Sequence, residues 1–241
     1  MTPSTVIAVP IWDSDAQAEH TIAFISQMQE QVDGNWLVVI VDNASPSGYT
    51  RDFLDALGDP RFHVIRNETN LGYGTAANQG IRYGFEQGCE WGIVINNDVI
   101  FTRHDWIEYA FLQYLREHKD WLMGARYIDF NLGTAYDGTN IVPYLEGWLL
   151  AFHKDLWESL SGFDEGVFVW HEDVELSLRA VKAGYTLKQS DAFVWTSVSH
   201  CENPPVYHLY GRTGFAKLDF NAVSEVSRQY VIRKHFTPET V

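Results

Sequence analysis

Cysteine and long apolar runs are both scarce in this sequence of 241 residues. Its two cysteines, Cys89 and Cys201, provide no disulfide framework and do not have the spacing of a zinc site. No apolar run approaches the roughly 20 residues of a membrane-spanning helix. Met1–Val9 lacks the basic region and the apolar core of a signal peptide. These absences predict a soluble, cytoplasmic protein without a membrane-spanning segment.

Basic residues are also few, because 17 Lys and Arg stand against 32 Asp and Glu, a formal net charge of −15. Proteins that bind nucleic acid or anionic lipid need a basic face, so this charge argues against both partners. The overall field would repel a phosphorylated substrate as well. Such a substrate would need a divalent cation or a local cluster of hydrogen-bond donors.

A glycine-rich phosphate loop is missing. The nearest candidate, Asn70–Gly74 (NLGYG), is neither a P-loop nor a dinucleotide fingerprint. A bound nucleotide would have to be held in another way. Hydrophobic residues make up 46% of the chain, which is enough for a full core, and the simplest organisation is one domain over residues 1–241.

Strand-like and helix-like segments alternate in the first half of the chain. The predicted strands are Thr5–Pro10, Trp36–Val41, Phe62–Arg66 and Trp91–Ile95, and the predicted helices lie at about 16–31, 50–57 and 75–87. Asp13 to Asp15 could cap the first helix. The alternation predicts βαβ units and a mainly parallel central sheet flanked by helices.

The second half of the chain is less regular. Helices are predicted at 105–117, 154–160 and 171–183, strands at Trp121–Tyr127 and Glu146–Phe152, and a polar loop at Asp129–Gly138. Glu172 and Asp173 would lie in the first turn of the helix at 171–183, where the helix dipole stabilises ionised carboxylates. The buried face predicted for that helix consists of Val174, Leu178 and Val181.

Polar residues follow each predicted strand of the first half. The clusters are Pro10–Asp13 (PIWD), Asp42–Asn43, Arg66–Asn67 and Asn96–Asp98 (NND). Since parallel strands place their carboxyl ends at one edge of a sheet, we expect these clusters to converge on a nucleotide or phosphosugar site. The carboxylate of Asp98 lies between two apolar runs, where burial is costly without a cation or a set of donors.

Taken in order, these motifs resemble the family 2 glycosyltransferases of the GT-A fold, and the rhamnosyltransferase-like members most of all. The matching segments are Val9–Trp12 (VPIW), Val41–Ser45 (VDNAS), Asn70–Gly80, Asn96–Asp98, Gly147–Glu165, His171–Gly184, His200 and Ser227–His235. No single segment is specific, but their order and spacing match over nearly the whole chain. The resemblance implies a Rossmann-like GT-A fold, with residues 1–103 as the nucleotide-sugar-binding half and 104–241 as the acceptor-binding and catalytic-base half.

The resemblance also implies roles for individual residues. The nucleotide side would include Pro10, Trp12, Asp42, Asn70, Gly72, Asn78 and Asn97. Asp42 would hydrogen-bond the nucleobase, and Trp12 would stack on it. Asp98 matches the last residue of the family's DXD motif, which holds Mn²⁺ or Mg²⁺ on the diphosphate, and Asn96 replaces the first Asp. His200 matches a further metal or diphosphate contact of many members.

On the acceptor side the resemblance assigns Gly147 and Trp148, and it assigns Asp173 as the general base with Glu172 in support. The implied reaction is an inverting, metal-dependent transfer of a sugar from a UDP-, dTDP- or GDP-linked donor to the hydroxyl of a glycan, lipid-linked or protein acceptor. Two alternatives stay open: a nucleotidyltransferase that makes a nucleotide sugar, and a non-catalytic nucleotide- or carbohydrate-binding module. The choice between Asp173 and Glu172 as base, and the oligomeric state, also stay open.

Overall fold

The computed structural model describes residues 3–31, 35–131, 141–192, 206–208 and 220–236. Its strands are β1 (Thr5–Ile11), β2 (Trp36–Asp42), β3 (Phe62–Arg66), β4 (Trp91–Ile95), β5 (Val99–Phe101), β6 (Trp121–Gly124), β7 (Tyr127–Asn131), β8 (Ile141–Leu145), β9 (Leu149–His153), β10 (Thr186–Gln189) and β11 (Val206–His208). Its helices are α1 (Ala18–Gln29), α2 (Gly48–Asp55), α3 (Tyr73–Glu86), α4 (Gln113–Leu115, continuing a π-helical segment at Glu108–Leu112), α5 (Lys154–Leu160), α6 (Glu172–Lys182) and α7 (Phe220–Phe236).

Seven of the described strands form the central sheet, in the order β10-β6-β9-β4-β1-β2-β3. Strand β9 runs antiparallel to its neighbours β4 and β6, and the other adjacent pairs are parallel. This confirms the mainly parallel sheet predicted from the alternation of strands and helices. Two short antiparallel pairs, β5–β11 and β7–β8, lie outside it.

The core forms a layer on each face of the sheet, because alternate residues of a strand point to opposite faces. In β1, Ile7 and Val9 belong to the layer that contains Phe24 of α1 and also Trp106. Val6 and Ala8 belong to the layer formed with α3, α5 and α6. With both faces covered, β1, β2 and β4 are buried along their whole length, and this explains their continuous apolar sequences.

One local prediction for the first half was wrong. Helix α1 has Gln17 as its N-cap, not a residue from Asp13 to Asp15. The carboxylate of Asp13 accepts hydrogen bonds from the hydroxyls of Thr21 and Thr50, so it joins α1 to α2.

In the second half, the polar loop predicted from Asp129 is wrong at its start, because β7 extends to Asn131 and pairs with β8. Neither β8 nor β10 was predicted.

Val181 is 46% exposed, whereas Val174 and Leu178 pack against Val231 of α7 as a third apolar cluster. The reason is that Val181 lies in the last turn of α6, which ends at Lys182.

No helix in the described parts of the chain combines the length and the apolar character needed to cross a bilayer.

Candidate active site

Asp42 ends β2 and is held in place by two neighbours. Its Oδ1 accepts a 2.9 Å hydrogen bond from the backbone N–H of Ser45, and its Oδ2 lies 2.9 Å from Nη1 of Arg66. Arg66 is the register partner of Asp42 on β3, and its Nη2 also contacts Asp55 at 2.6 Å. The carboxylate is therefore fixed at the sheet edge next to the end of β1, where Ile11 pairs with Asp42 and the half-buried Trp12 follows.

The next residue, Asn43, closes the loop that follows β3. Its Nδ2 donates to Asn70 Oδ1 at 2.8 Å and to the Gly72 carbonyl at 3.1 Å. Its Oδ1 accepts from the Leu71 N–H and from Asn67 Nδ2, both at 3.0 Å. Sequence reasoning named Asn70 and Gly72 as site residues but not Asn43, although it follows Asp42 in the same motif.

Gly72 has to be glycine for two reasons. Its φ is +90°, in the left-handed region, and a Cβ there would come within 2.3 Å of the Phe168 carbonyl oxygen. The same carbonyl accepts a 2.9 Å hydrogen bond from the N–H of Tyr73. This close approach brings the Asn67–Gly72 loop against the segment that leads into α6.

At the end of β4, Asn97 is tied to β1 and α1. Its Nδ2 donates to Asp13 Oδ1 at 3.1 Å and to Thr21 Oγ1 at 2.8 Å. Burial raises the pKa of Asp13, and hydrogen bonds from Thr21, Thr50 and Asn97 offset part of the rise. Asp13 was not a predicted site residue, yet its network fixes the backbone beside Asp98.

Asp98 lies between β4 and β5 with a side chain that is 1% exposed. Among the described residues, no group of three or more His, Cys, Asp or Glu side chains could hold a metal ion. His200 lies outside the described residues. A carboxylate oxygen is the kind of ligand that Mn²⁺ and Mg²⁺ prefer, so Asp98 fits a cation that takes its other ligands from phosphates and water.

Four further predicted residues have contacts within the protein. Pro10 is buried in β1 opposite Val41. Asn78 donates to the carbonyl of Phe163 and to Glu165, and it accepts from the Phe163 N–H, so it holds the turn after α5. Trp148 is 7% exposed and belongs to the core layer that contains Ile7 and Val9. Its indole N–H donates to Glu146 Oε2 at 3.1 Å. Gly147, by contrast, lies directly against Asp173.

Asp173 is held by backbone groups at the start of α6. Its Oδ2 accepts from the Gly147 N–H at 2.9 Å, and its Oδ1 accepts from the Val174 N–H at 2.8 Å. A Cβ on residue 147 would lie 3.0 Å from the Cβ of Asp173, so glycine permits this contact.

The backbone that precedes α6 is strained. Trp170 and His171 both have φ of +64°, a conformation that costs non-glycine residues about 1–3 kcal/mol each. Helix α7 supports this segment: Ser227 Oγ donates to the Val169 carbonyl at 2.6 Å, and Ser224 Oγ lies 3.1 Å from His171 Nε2. These contacts hold the strained backbone immediately before Glu172 and Asp173, the first two residues of α6.

Burial raises the pKa of Asp173 to about 6; the N–H groups of Gly147 and Val174 oppose the rise, and nearby Glu146 adds to it. Burial and the charge of Asp173 raise the pKa of Glu172 to about 8. The expectation that the helix dipole keeps both acids ionised is therefore wrong for Glu172. The dipole contributes about 0.3–1 kcal/mol, which is less than the cost of burying two adjacent charges. Burial and the mutual repulsion of the two carboxylates therefore favour retention of a proton on the pair.

The two acidic regions meet around Tyr73, the first residue of α3. Its hydroxyl lies 3.1 Å from Asn96 Oδ1 and 3.0 Å from the Gly147 carbonyl oxygen. Burial raises the pKa of Tyr73 well above its ordinary value, and the charges of Glu172, Asp173 and Asp98 raise it further. Both acids singled out in the sequence, Asp98 and Asp173, therefore act on one phenol. An aromatic residue at a helix start usually indicates only core packing, which is why sequence reasoning missed Tyr73.

Comparison with known proteins places these features in a family. Residues 7–166, well over half of the chain, match the model of Glycosyl transferase family 2. The uncharacterized protein Rv1525 of Mycobacterium tuberculosis is 26% identical over 203 residues, covering 76% of this chain and 70% of that protein.

Several solved structures are similar over 78% of this chain, and two of them serve as examples. They are mannosyltransferase PcManGT from Pyrobaculum calidifontis in complex with GDP-Man and Mn²⁺ (TM-score 0.59, 19% identity) and S. aureus TarS 1-349 in complex with UDP (TM-score 0.55, 16% identity). The matched regions cover 55% and 58% of those chains, so this chain spans little more than half their length. The likeness shows the GT-A fold. The family model, which matches well over half of the chain, establishes that this chain belongs to the glycosyl transferases of family 2.

Proposed function

We propose that this glycosyltransferase moves a sugar from a nucleoside diphosphate donor to an acceptor hydroxyl, with inversion at the anomeric carbon and with a divalent cation. The observation that carries the proposal is the position of Tyr73, whose hydroxyl lies between Asn96, two residues before Asp98, and Gly147, which holds Asp173. Inverting transfer needs a proton acceptor on one side of the sugar and charge stabilisation for the leaving diphosphate on the other. Asp173 and Asp98 supply these groups from different elements.

On the donor side, Asp98 would hold Mn²⁺ or Mg²⁺, with His200 as a further ligand. The cation, when bound, supplies charge stabilisation for the departing diphosphate. It would also offset the net charge of −15, which otherwise opposes an anionic donor. The presence of GDP-Man and Mn²⁺ in the PcManGT structure supports this assignment.

The nucleotide would lie along the ends of β1 and β2. Trp12 and Asp42 are neighbours across these strands, which suits stacking on the base and hydrogen bonding to its edge. The loop that contains Asn70 and Gly72 would border the same side. UDP-, dTDP- and GDP-linked donors all fit this description, and the two similar structures hold GDP-Man and UDP.

Asp173 would act as the general base. Its pKa is the lower of the two, so it is the acid of the pair that ionises at lower pH and can accept the proton of the acceptor hydroxyl. Glu172 would keep its proton and stay beside it in support. Gly147 and Trp148 would form the acceptor side through their backbone, and the acceptor would be a glycan, a lipid-linked molecule or a protein. In this scheme, residues 1–103 bind the nucleotide sugar, and residues 104–241 complete one GT-A domain with the acceptor side and the base.

The test is a panel of UDP-, dTDP- and GDP-linked sugars with Mn²⁺, assayed for release of nucleoside diphosphate and for the anomeric configuration of the product by NMR. Asp173→Asn should lower transfer by about 10²–10⁴-fold while the affinity for nucleoside diphosphate is kept. Asp191→Asn, at an exposed surface position, is the matched control. Retention of the donor's anomeric configuration would exclude the inverting mechanism. Full activity of Asp173→Asn would exclude this residue as the base.

A further inference from the structure

Tyr73 occupies a position that packing alone does not explain. Its ring packs edge-on against Phe163 with centroids 6.1 Å apart, as expected of an aromatic residue at the base of a helix. Its hydroxyl, however, is within hydrogen-bond distance of two groups from different parts of the chain, Asn96 after β4 and Gly147 before β9. A phenylalanine would fill the same space, so the hydroxyl needs a separate reason.

Gly147 contacts both Tyr73 and Asp173, and so links the two residues. The carbonyl of Gly147 accepts from Tyr73, and its N–H donates to Asp173 Oδ2 at 2.9 Å. The Gly147 backbone is packed directly on the Asp173 side chain, where even a Cβ would lie 3.0 Å from Cβ and 3.4 Å from Oδ2. In such close packing a rotation of the residue 147 backbone has to move the carboxylate as well.

The other contact ties the same backbone to the donor side. Asn96 donates its N–H to the carbonyl of Trp148 at 2.9 Å, and its Oδ1 lies 3.1 Å from the Tyr73 hydroxyl, whose single proton it shares with the Gly147 carbonyl. The end of β4 and the turn at residues 147–148 are thus joined at two points, one through the backbone and one through the phenol. Asp98 follows Asn96 by two residues, so the phenol provides a second link between the segment that carries Asp98 and the residue that holds Asp173.

We propose that Tyr73 is a positioning residue for glycosyl transfer, whose hydroxyl fixes the Gly147 backbone, and through it Asp173, relative to the Asn96–Asp98 end of β4. The inference rests on the proposed function, because it takes Asp173 as the base. Tyr73 itself exchanges no proton with the substrate. Its role is to set the orientation of the carboxylate that does.

The test is Tyr73→Phe, which keeps the ring and removes only the hydroxyl. Misplacement of a catalytic group by about 1 Å costs up to about 10²-fold in rate, so kcat should fall about 10- to 100-fold. The KM for the donor and the Kd for nucleoside diphosphate with Mn²⁺ should stay within about twofold, because the nucleotide contacts are untouched. Tyr83→Phe is the matched control, since Tyr83 lies on the same helix and its ring stacks on His63, away from Asp173. The control should keep wild-type kcat.

A double variant separates positioning from a general loss of structure. If Tyr73 acts through Asp173, Tyr73→Phe should cost almost nothing in the Asp173→Asn background, because the group it positions is already lost. The readout is the residual rate of nucleoside diphosphate release.

Each outcome decides one claim. Wild-type kcat in Tyr73→Phe, or an equal fold-loss in both backgrounds, would overturn the role of Tyr73 while leaving the base assignment intact. Wild-type transfer in Asp173→Asn alone would overturn the assignment of Asp173 as the base in the proposed function, whatever Tyr73→Phe does. A fall in kcat that Tyr73→Phe causes in the wild-type background and not in the Asp173→Asn background supports both the role of Tyr73 and the proposed function.

Discussion

The backbone N–H of Gly147 donates a 2.9 Å hydrogen bond to Oδ2 of Asp173. A neutral donor fixes the direction of a carboxylate with a smaller fall in its pKa than an arginine partner would cause. Burial meanwhile raises the pKa of Asp173 to about 6, which suits a group that has to gain and lose a proton near neutral pH. Orientation and basicity are therefore set by different neighbours.

Gly147→Ala should lower kcat about 10- to 100-fold, because the added methyl group would press on Asp173 at 3.0 Å and displace its carboxylate. Gly48→Ala is the matched control, since a Cβ at residue 48 meets no heavy atom within 4 Å. Steady-state kinetics with the best donor of the panel is the measurement. Equal kcat in the two variants would show that Asp173 tolerates displacement.

The pH profile should have two limbs. Asp173 accepts a proton only when ionised, so kcat/KM should rise as pH increases through about 6. Ionisation of Glu172 at about pH 8 adds a second charge beside an anionic donor, so kcat/KM should then fall. Glu172→Gln should keep the lower limb and lose the upper one. An upper limb that survives in this variant would belong to another group.

The same two acids have a consequence for stability. Both have a pKa that is raised in the folded state. Between the ordinary and the raised pKa values, the folded protein therefore binds more protons than the unfolded chain. Their contribution to stability is complete at low pH and is lost as pH rises through about 6 to 8. Between pH 6 and 9, Glu172→Gln should show a smaller fall in Tm than the wild type. A parallel fall in both proteins would contradict the burial of Glu172.

Asp98→Asn should abolish the gain in nucleoside diphosphate affinity that Mn²⁺ provides, because a neutral amide is a poor ligand for a hard cation. Isothermal titration of UDP and GDP with and without Mn²⁺ measures this directly, without reference to turnover. Asp105→Asn is the matched control, since that carboxylate is exposed and pairs with Arg103. An unchanged Mn²⁺ effect in Asp98→Asn would remove the metal assignment.

Glu175→Gln should destabilise the protein by about 2–3 kcal/mol, because the neutral amide leaves Arg179 and Lys234, which are 19% and 36% exposed, without their anionic partner. The side chain of Glu175 is fully buried and lies 2.6 Å from Arg179, 2.7 Å from Lys234 and 3.0 Å from His235. Burial by itself would raise the pKa of Glu175, but these partners outweigh it and lower the pKa to about 2. Its stabilising effect is therefore present above pH 4.5 and is lost as pH falls towards 2.

Glu158→Gln provides the comparison for this change, since Glu158 forms an exposed pair with Lys154 at 3.5 Å and should leave Tm almost unchanged. Chemical and thermal denaturation of both variants at pH 7 measure the free energy of unfolding and the Tm. Similar Tm values for the two would mean that α7 is not held to α6 through Glu175.

The predictions from sequence succeeded where a local pattern has a fixed geometric meaning. Strands β1, β2 and β4 are apolar along nearly their whole length and are separated by helical segments, and this pattern is compatible with little except a parallel sheet covered on both faces. The convergence of Asp42 and the Asn96–Asp98 cluster at one edge follows from the same rule. Strands β8 and β10 were missed because pairing stabilises them: β10 pairs with β6, which is remote in the chain, and β8 pairs with β7, part of which was predicted as a polar loop.

By itself, therefore, the sequence determined the class of fold, the order of the motifs and the identity of the acids, since these depend on residue type and on spacing along the chain. Only the tertiary structure decided that Tyr73 joins Asn96 to Gly147, that Asn43 closes the loop at Gly72, and that burial raises the pKa of Glu172. These features depend on distances of about 3 Å between distant segments and on exclusion of water, and no local pattern in the chain encodes either quantity.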